Sequence, residues 1–134
     1  MDPNWHRGGH GKDYEWKGRL GHSVMELGVN ASAFHLLKTA LFAALRMSSK
    51  LGVASTRRHV FVYIKSTGEP LVNIEYAGEE KALTIGVRSS MKSKWGKLPV
   101  DIEANEFGVV LFYVSGSSIS AQGMAELILK RVAR

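Results

Sequence analysis

The sequence contains no cysteine, which excludes disulfide scaffolds, cysteine-ligated zinc, iron–sulfur centres and thiol catalysis. It also has no long apolar run. The longest mostly apolar stretch, near Ala40–Leu45, is far shorter than the roughly 20 residues that a membrane-spanning helix needs. Residues 1–22 are rich in glycine, histidine and charge, and they lack the apolar core of a signal peptide. These absences predict a soluble intracellular protein, either cytoplasmic or nuclear.

The short motifs that mark common catalytic and cofactor sites are also missing. The sequence has no GxxxxGK phosphate loop, no GxGxxG dinucleotide fingerprint and no GxSxG nucleophile elbow. We therefore expect no cofactor, and a non-enzymatic domain is favoured over an enzyme without catalysis being excluded.

The length of 134 residues fits a single domain, because one core usually suffices up to about 250 residues. Residues 1–22 predict an N-terminal arm, since they contain three glycines before Lys12 and no sustained periodicity. The arm carries Trp5, Tyr14 and Trp16, whereas solvated tails are usually poor in aromatic residues. We therefore expect it to dock on the body of the protein or on a second copy. Residues 23–134 form the predicted α+β domain.

Two segments show the three-to-four-residue spacing of amphipathic helices. The first runs from about residue 31 to residue 50 and is followed by Gly52, a typical helix stop. Its predicted exposed face carries His35 together with basic residues. The second is capped by one of the serines in Ser117–Ser120 and runs to about residue 133.

Five segments between these helices are predicted strands: residues 59–65, 71–76, 82–88, 100–104 and 109–115, with residues 89–99 predicted as a loop. The first four alternate in the manner of half-buried strands, whereas residues 109–115 are apolar on both faces, as in a strand that is central or covered on both sides. Short connections make the first three strands an antiparallel meander. The order of elements predicts a two-layer α+β sandwich. A mostly antiparallel five-stranded sheet lies in one layer and the long first helix and the C-terminal helix in the other.

The formal net charge of +6 is unevenly distributed. Residues 23–58 hold five basic residues against Glu26 alone, and residues 89–100 hold three lysines and no acidic residue. Segregated positive charge attracts polyanions if the two segments meet in space. Solvated surface lysines are the alternative interpretation.

Aromatic residues accompany both basic segments. Trp95 lies among the lysines of the second segment, and Phe61 and Tyr63 share one face of the first predicted strand. Lysines contact phosphates and aromatic rings stack on bases, so this combination is typical of nucleic-acid binding. The predicted binding residues are Lys38, Arg46, Lys50, Arg57, Arg58, Phe61, Tyr63, Lys92, Lys94, Trp95 and Lys97. The hypothesis is a phosphate-dominated interaction with weak sequence preference, for DNA or RNA.

Two other functions fit parts of the sequence. The aromatic sheet face and the arm could instead form a protein interface, most simply a homodimer. A metal-dependent nuclease is suggested by the Glu-x-Lys spacing of Glu79 and Lys81, although both fall in a predicted turn. The spacing of His6 and His10 is weak evidence for a metal site, because two glycines between them disfavour a helix. We therefore predict no metal site.

Overall fold

The computed structural model describes residues 28–78, 82–88 and 94–132. Within them, two helices and eight strands follow in the order α1 (Val29–Leu45), β1 (Leu51–Ser55), β2 (His59–Ile64), β3 (Pro70–Ala77), β4 (Ala82–Arg88), β5 (Trp95–Lys97), β6 (Asp101–Ala104), β7 (Val110–Val114), β8 (Ser117–Ile119) and α2 (Ala121–Val132). The predicted α+β fold class, with its antiparallel five-stranded sheet and two helices, is confirmed. The predicted arm, residues 1–22, lies outside the described residues.

The strands form two antiparallel sheets. The large sheet has the order β1-β2-β3-β4-β5, and the small sheet has the order β6-β7-β8. Three of the five predicted strands therefore belong to the large sheet and two to the small one. Proline has no backbone N–H to donate to a ladder, and Pro99 lies at the point where the chain leaves β5 for the small sheet.

One face of the large sheet, which we call the inner face, packs against α1 and α2. It is mostly aliphatic because, apart from Tyr76, every second residue of β2, β3 and β4 is a valine, leucine or isoleucine. The fully buried side chains of this core include Leu37, Leu41, Val60, Val62, Val72, Ile74, Met124 and Ile128, and Phe112 joins them from the small sheet. A bulge adds one inward residue, since Val62 pairs with Val72 and Tyr63 with Pro70. Leu71, left without a pairing partner between them, is buried as well.

Helix α1 is shorter than predicted and ends at Leu45 instead of residue 50. The chain turns there, because the Ser48 amide donates to the Leu45 carbonyl (3.0 Å). The Ser48 side-chain hydroxyl then accepts a hydrogen bond from the Leu51 amide (3.1 Å). Strand β1 follows immediately, so Gly52 lies in a strand and does not terminate the helix.

Two further local predictions are wrong. The predicted loop of residues 89–99 contains strand β5, which pairs with β4. His35 is only 6% exposed instead of lying on an outer face, because α1 packs against β6 and β7 as well as against the large sheet. The start of the C-terminal helix matches the expected serine caps: Ser120 Oγ accepts the Gly123 amide hydrogen bond (3.0 Å) just before α2.

Candidate functional site

The candidate site is the face of the large sheet opposite the helices, which we call the outer face. Directly paired residues of antiparallel strands point to the same face. The register therefore places Ala54, Phe61, Asn73, Gly86 and Lys97 in one row across all five strands. Four strand spacings of about 4.8 Å make this row roughly 19 Å wide.

Aromatic rings on this face lie against glycines. Tyr63 pairs with Gly52, and a Cβ atom on Gly52 would lie only 2.5 Å from Tyr63 Cζ. Trp95 Cε3 would lie 3.5 Å from a Cβ atom on Gly86. Glycine on the floor of the sheet thus makes room for both rings. Phe61 lies two residues before Tyr63 on β2, and its ring stacks on that of His59, with centroids 5.6 Å apart and planes 9° from parallel.

The acidic groups on this face are paired with basic ones. His59 Nε2 lies 3.0 Å from Glu75 Oε2, and Arg88 Nη1 lies 3.0 Å from Glu69 Oε1. Both pairs are partly solvent-exposed, so each contributes little to stability. The Arg88–Glu69 pair brings opposite charges together, and the His59 ring lies within hydrogen-bond distance of the Glu75 carboxylate.

Cations gather at the β1 edge of the face. Arg46, Tyr63 and Lys65 line a shallow pocket of about 500 Å³ together with Gly52 and part of α1. Lys65 is held there because its Nζ donates to the Ser48 carbonyl (2.7 Å). Its amide also donates to the Lys50 carbonyl (2.9 Å), which places Lys50 at the same corner. Two cations, Arg46 and Lys65, thus line a pocket with one aromatic ring, and the backbone of Lys50 lies beside them.

A second basic group lies at the β5 edge. Trp95 is 44% exposed, and Lys94 and Lys97 beside it are exposed. Lys97 shares the row of Phe61 and Gly86. The predicted partner Lys92 lies outside the described residues.

The remaining predicted cations lie away from both edge groups. Arg57 and Arg58 occupy the turn between β1 and β2, at the other end of the strands from Lys50 and Lys65. Lys38 belongs to α1, in the helical layer, where its Nζ lies 5.7 Å from the centre of the Phe34 ring.

Within the described residues, the cations of the two basic segments that lie near the outer face are found at opposite edges of the large sheet, because β1 and β5 are its two edge strands. Arg57, Arg58 and Lys38 lie elsewhere, so the described cations do not form one continuous patch.

Three residues of this face were missing from the predicted set. Lys65 alternates with Phe61 and Tyr63 along β2, so its position on their face could be foreseen, but its role at the edge pocket depends on Ser48. Asn73 and Gly86 form the floor between the aromatic positions. Only the strand register identifies them, since neither residue stands out in the sequence.

The metal and nuclease hypotheses concern residues that the structure does not describe: His6, His10, Glu79 and Lys81. In the part of the chain that the structure describes, no three histidine or acidic side chains are grouped closely enough to hold a metal ion.

No helix in residues 28–78, 82–88 and 94–132 is long and apolar enough to cross a membrane. No family model matches this chain, and no curated protein or solved structure is significantly similar to it.

Proposed function

We propose that this protein binds single-stranded nucleic acid across the outer face of its large sheet. One observation carries the proposal: Tyr63, Phe61 and Trp95 share a sheet face whose two edges carry cations. The sequence suggested an interaction dominated by phosphate contacts. The separation of the basic groups favours a larger share for stacking, with phosphate contacts at the two ends of the bound strand.

Stacking requires aromatic rings that a base can reach. Trp95 is 44% exposed, and Phe61 and Tyr63 are half-buried. Base–aromatic stacking contributes about 1–3 kcal/mol per base and tolerates any sequence. Bases in a duplex are already stacked on each other, so this geometry favours single strands.

The edges supply the phosphate contacts. Arg46, Lys50 and Lys65 lie at the β1 edge, and Lys94 and Lys97 lie at the β5 edge. A short strand that crosses the face between these groups places its backbone near cations at both ends and its bases over the aromatic rings. The two described carboxylates beside this path are both engaged, Glu75 by the His59 ring and Glu69 by Arg88.

The electrostatic test is charge reversal at the β5 edge. We expect the full chain to retain a single-stranded oligonucleotide at low salt, with affinity falling as salt rises. Lys94→Glu with Lys97→Glu removes two phosphate contacts, so the slope of log affinity against log salt should flatten by about 1.4. The matched control is Lys130→Glu with Arg131→Glu, exposed positions on α2, which changes the net charge equally. An oligonucleotide that is not retained by the full chain, or an equal loss in both variants, contradicts the proposal.

The stacking test uses Trp95→Ala. Loss of one stacked base should weaken binding about 10-fold, and binding to the unmodified chain should quench the fluorescence of Trp95. Phe107→Ala is the matched control, because Phe107 is an exposed aromatic residue (81%) next to the small sheet. Equal affinities of the Trp95 and Phe107 variants would remove the stacking face from the mechanism.

A second function, homodimerisation through the same outer face, is favoured by the uncharged residues in its central row. Cores of protein interfaces are depleted in charge and enriched in aromatic residues, and Phe61, Asn73 and Gly86 lie side by side in that row. Sedimentation distinguishes the two functions. A dimer predicts a concentration-dependent, salt-insensitive mass that Phe61→Glu abolishes, whereas the nucleic-acid proposal predicts a mass that does not change.

A further inference from the structure

An apolar groove, separate from the outer face, runs between the start of α1 and the small sheet. We call it the hairpin groove. Its volume of about 990 Å³ lies at the upper end of the range of roughly 300–1,000 Å³ that small-molecule sites have. Helix α1 contributes Val29, Ser32 and Leu36 to one wall, and residues 104–111 and 118–121 form the other side. Because these α1 residues are spaced by three and four, one face of the helix lines the groove.

The lining of the groove is mostly hydrocarbon. Leu36 and Ile119 are half-buried in its walls, whereas Phe107 and Val109 lie in its rim and are 81% and 52% exposed. The rim is held in place because Asn105 Oδ1 accepts hydrogen bonds from the Phe107 amide (2.9 Å) and the Val109 amide (3.0 Å). Exposed apolar side chains grouped around a groove are typical of a binding site. This lining favours a ligand with a hydrocarbon body.

The first turns of both helices also line the groove. Val29 and Ser32 belong to the first turn of α1, and Ala121 is the first residue of α2. Neither first turn contains an acidic residue, and α1 begins after Gly28 without a side-chain cap. The N-terminus of a helix carries a partial positive charge and amide groups that favour anions. The polar group of the ligand is therefore expected to be negatively charged.

Ser32 adds an independent observation that points to a ligand. Its side chain is 1% exposed and lines the groove. Among the residues that the structure describes, its Oγ has no hydrogen-bond partner. Buried hydroxyls are nearly always hydrogen-bonded, so this one is suited to a partner that enters the groove. A hydroxyl can donate to a carboxylate oxygen, and this hydroxyl lies in the first turn of α1, at the positive end of the helix.

The groove suits a single negative charge. No lysine or arginine is found among its described lining residues, whereas strong phosphate binding typically relies on such cations. Glu106 is part of the lining and is exposed in the loop between β6 and β7, so a second negative charge on the ligand would be repelled there. A carboxylate carries one charge and meets both conditions.

We propose that the hairpin groove binds a small monocarboxylate with an alkyl or aryl body. Its carboxylate lies at Ser32 and the first turn of α1, and its hydrocarbon part lies along Leu36 and Ile119. The bound carboxylate accepts a hydrogen bond from Ser32 Oγ and thereby gives this hydroxyl the partner that it lacks. The site is independent of the nucleic-acid binding proposed for the outer face.

The charge preference is tested with three probes of equal chain length: octanoate, octan-1-ol and octylamine. Each is titrated into the full chain by isothermal calorimetry near pH 7. We expect octanoate to bind at least about 10-fold more tightly than either of the other two, because only the carboxylate gains a charge-assisted hydrogen bond and the helix N-termini. Equal affinities for the three probes, or no binding of octanoate, would overturn the proposal.

Ser32→Ala tests the hydroxyl, with Ser118→Ala as the matched control, since Ser118 is an exposed serine in the same lining. We expect the first variant to bind octanoate about 10-fold more weakly and the control to bind it as the unmodified chain does. Without octanoate, Ser32→Ala should not lower the melting temperature, because its hydroxyl has no described partner to lose. Unchanged octanoate affinity in the Ser32 variant, or an equal loss in both variants, contradicts the assignment.

The location of the hydrocarbon body is tested with Val109→Glu, which adds a negative charge at the rim. Met47→Glu is the control, because it also replaces an exposed apolar residue (89%) outside the groove. We expect octanoate affinity to fall severalfold in the Val109 variant and to stay unchanged in the Met47 variant. If both variants bind octanoate equally, the acid does not occupy the hairpin groove.

Discussion

The two faces of strands β2, β3 and β4 share one backbone but have different surroundings. On the inner face, Val60, Val62 and Ile74 are completely buried under the helices. On the outer face, Phe61 and Tyr63 alternate with them and stay half-buried. Strand alternation alone therefore produces a hydrophobic core and an aromatic surface from neighbouring residues. The inner face is mostly aliphatic because its side chains fill the space between the sheet and the helices. The outer face instead carries aromatic rings next to glycines, together with charged groups in contact with each other.

The largest expected effect comes from breaking the inner face. Ile74→Ala removes fully buried methyl groups between the sheet and the helices, and the lost burial and the resulting cavity should lower the free energy of unfolding by about 2–5 kcal/mol. Urea denaturation of the purified variant measures this change.

Phe61→Ala is the matched change on the outer face. It removes a larger side chain from a half-buried position, so we expect a loss of only about 1 kcal/mol. If this variant loses as much stability as the Ile74 variant, the outer face is as tightly covered as the inner one. The proposed stacking surface would then be inaccessible.

An effect smaller than that of Ile74→Ala is expected where a ring lies on a glycine. In Gly52→Ala, the new Cβ atom would lie 2.5 Å from the Tyr63 ring. The ring must therefore move away, at an expected cost of about 1–3 kcal/mol.

Gly96→Ala on β5 is the control for Gly52→Ala, because a Cβ atom there meets nothing within 4 Å. We expect it to leave the free energy of unfolding unchanged or slightly higher. Thermal unfolding of both variants compares them, and equal melting temperatures would show that Tyr63 does not depend on Gly52 for its position.

The smallest effect concerns Tyr76, on the inner face. Burial raises the pKa of the Tyr76 phenol above its ordinary value of 10.0, and the nearby Arg58 opposes this shift in part. The folded state therefore binds the proton more tightly than the unfolded state. Stability from this group is fully present below about pH 10 and decreases as the pH rises through the raised pKa.

Tyr76→Phe removes this titration. Urea midpoints measured at about pH 9 and about pH 11 should fall less in the variant than in the unmodified chain. The variant keeps the ring that stacks on Phe34, with centroids 5.9 Å apart, so the difference isolates the phenol. An identical fall in both proteins would show that burial does not affect the phenol.

Much of the fold could be predicted because its signals are local. Strands β2, β3 and β4 alternate over six to eight residues, and the turns between them hold glycine in positions that suit it, such as Gly68 with φ of 75°. Strands β5 and β8 were not predicted, because three residues are too few to show a period. Strand β1 was not predicted, since Leu51 fits the spacing of the α1 stripe and Gly52 was interpreted as a helix stop.

The candidate site was predictable in part for the same reason. The shared face of Phe61 and Tyr63 follows from the period of one strand. The position of Trp95 on that face follows only from the pairing of β5 with β4. The prediction of one basic patch required the two basic segments to be neighbours in the fold. The strand order instead places their described residues at opposite edges of the large sheet. His35 was placed outside because the helical spacing of α1 does not show that the small sheet packs on its other side.

By itself, the sequence determined the composition of each strand face, the exclusion of cysteine chemistry and the α+β succession of elements, because these depend on neighbours only a few residues apart. Only the tertiary structure decided which strands lie at the sheet edges, that the hairpin of residues 101–114 belongs to a separate small sheet, and which cations lie near the aromatic rings. Those outcomes depend on pairing between segments distant in the chain. That pairing is set by burying the inner face as a whole and not by any local pattern.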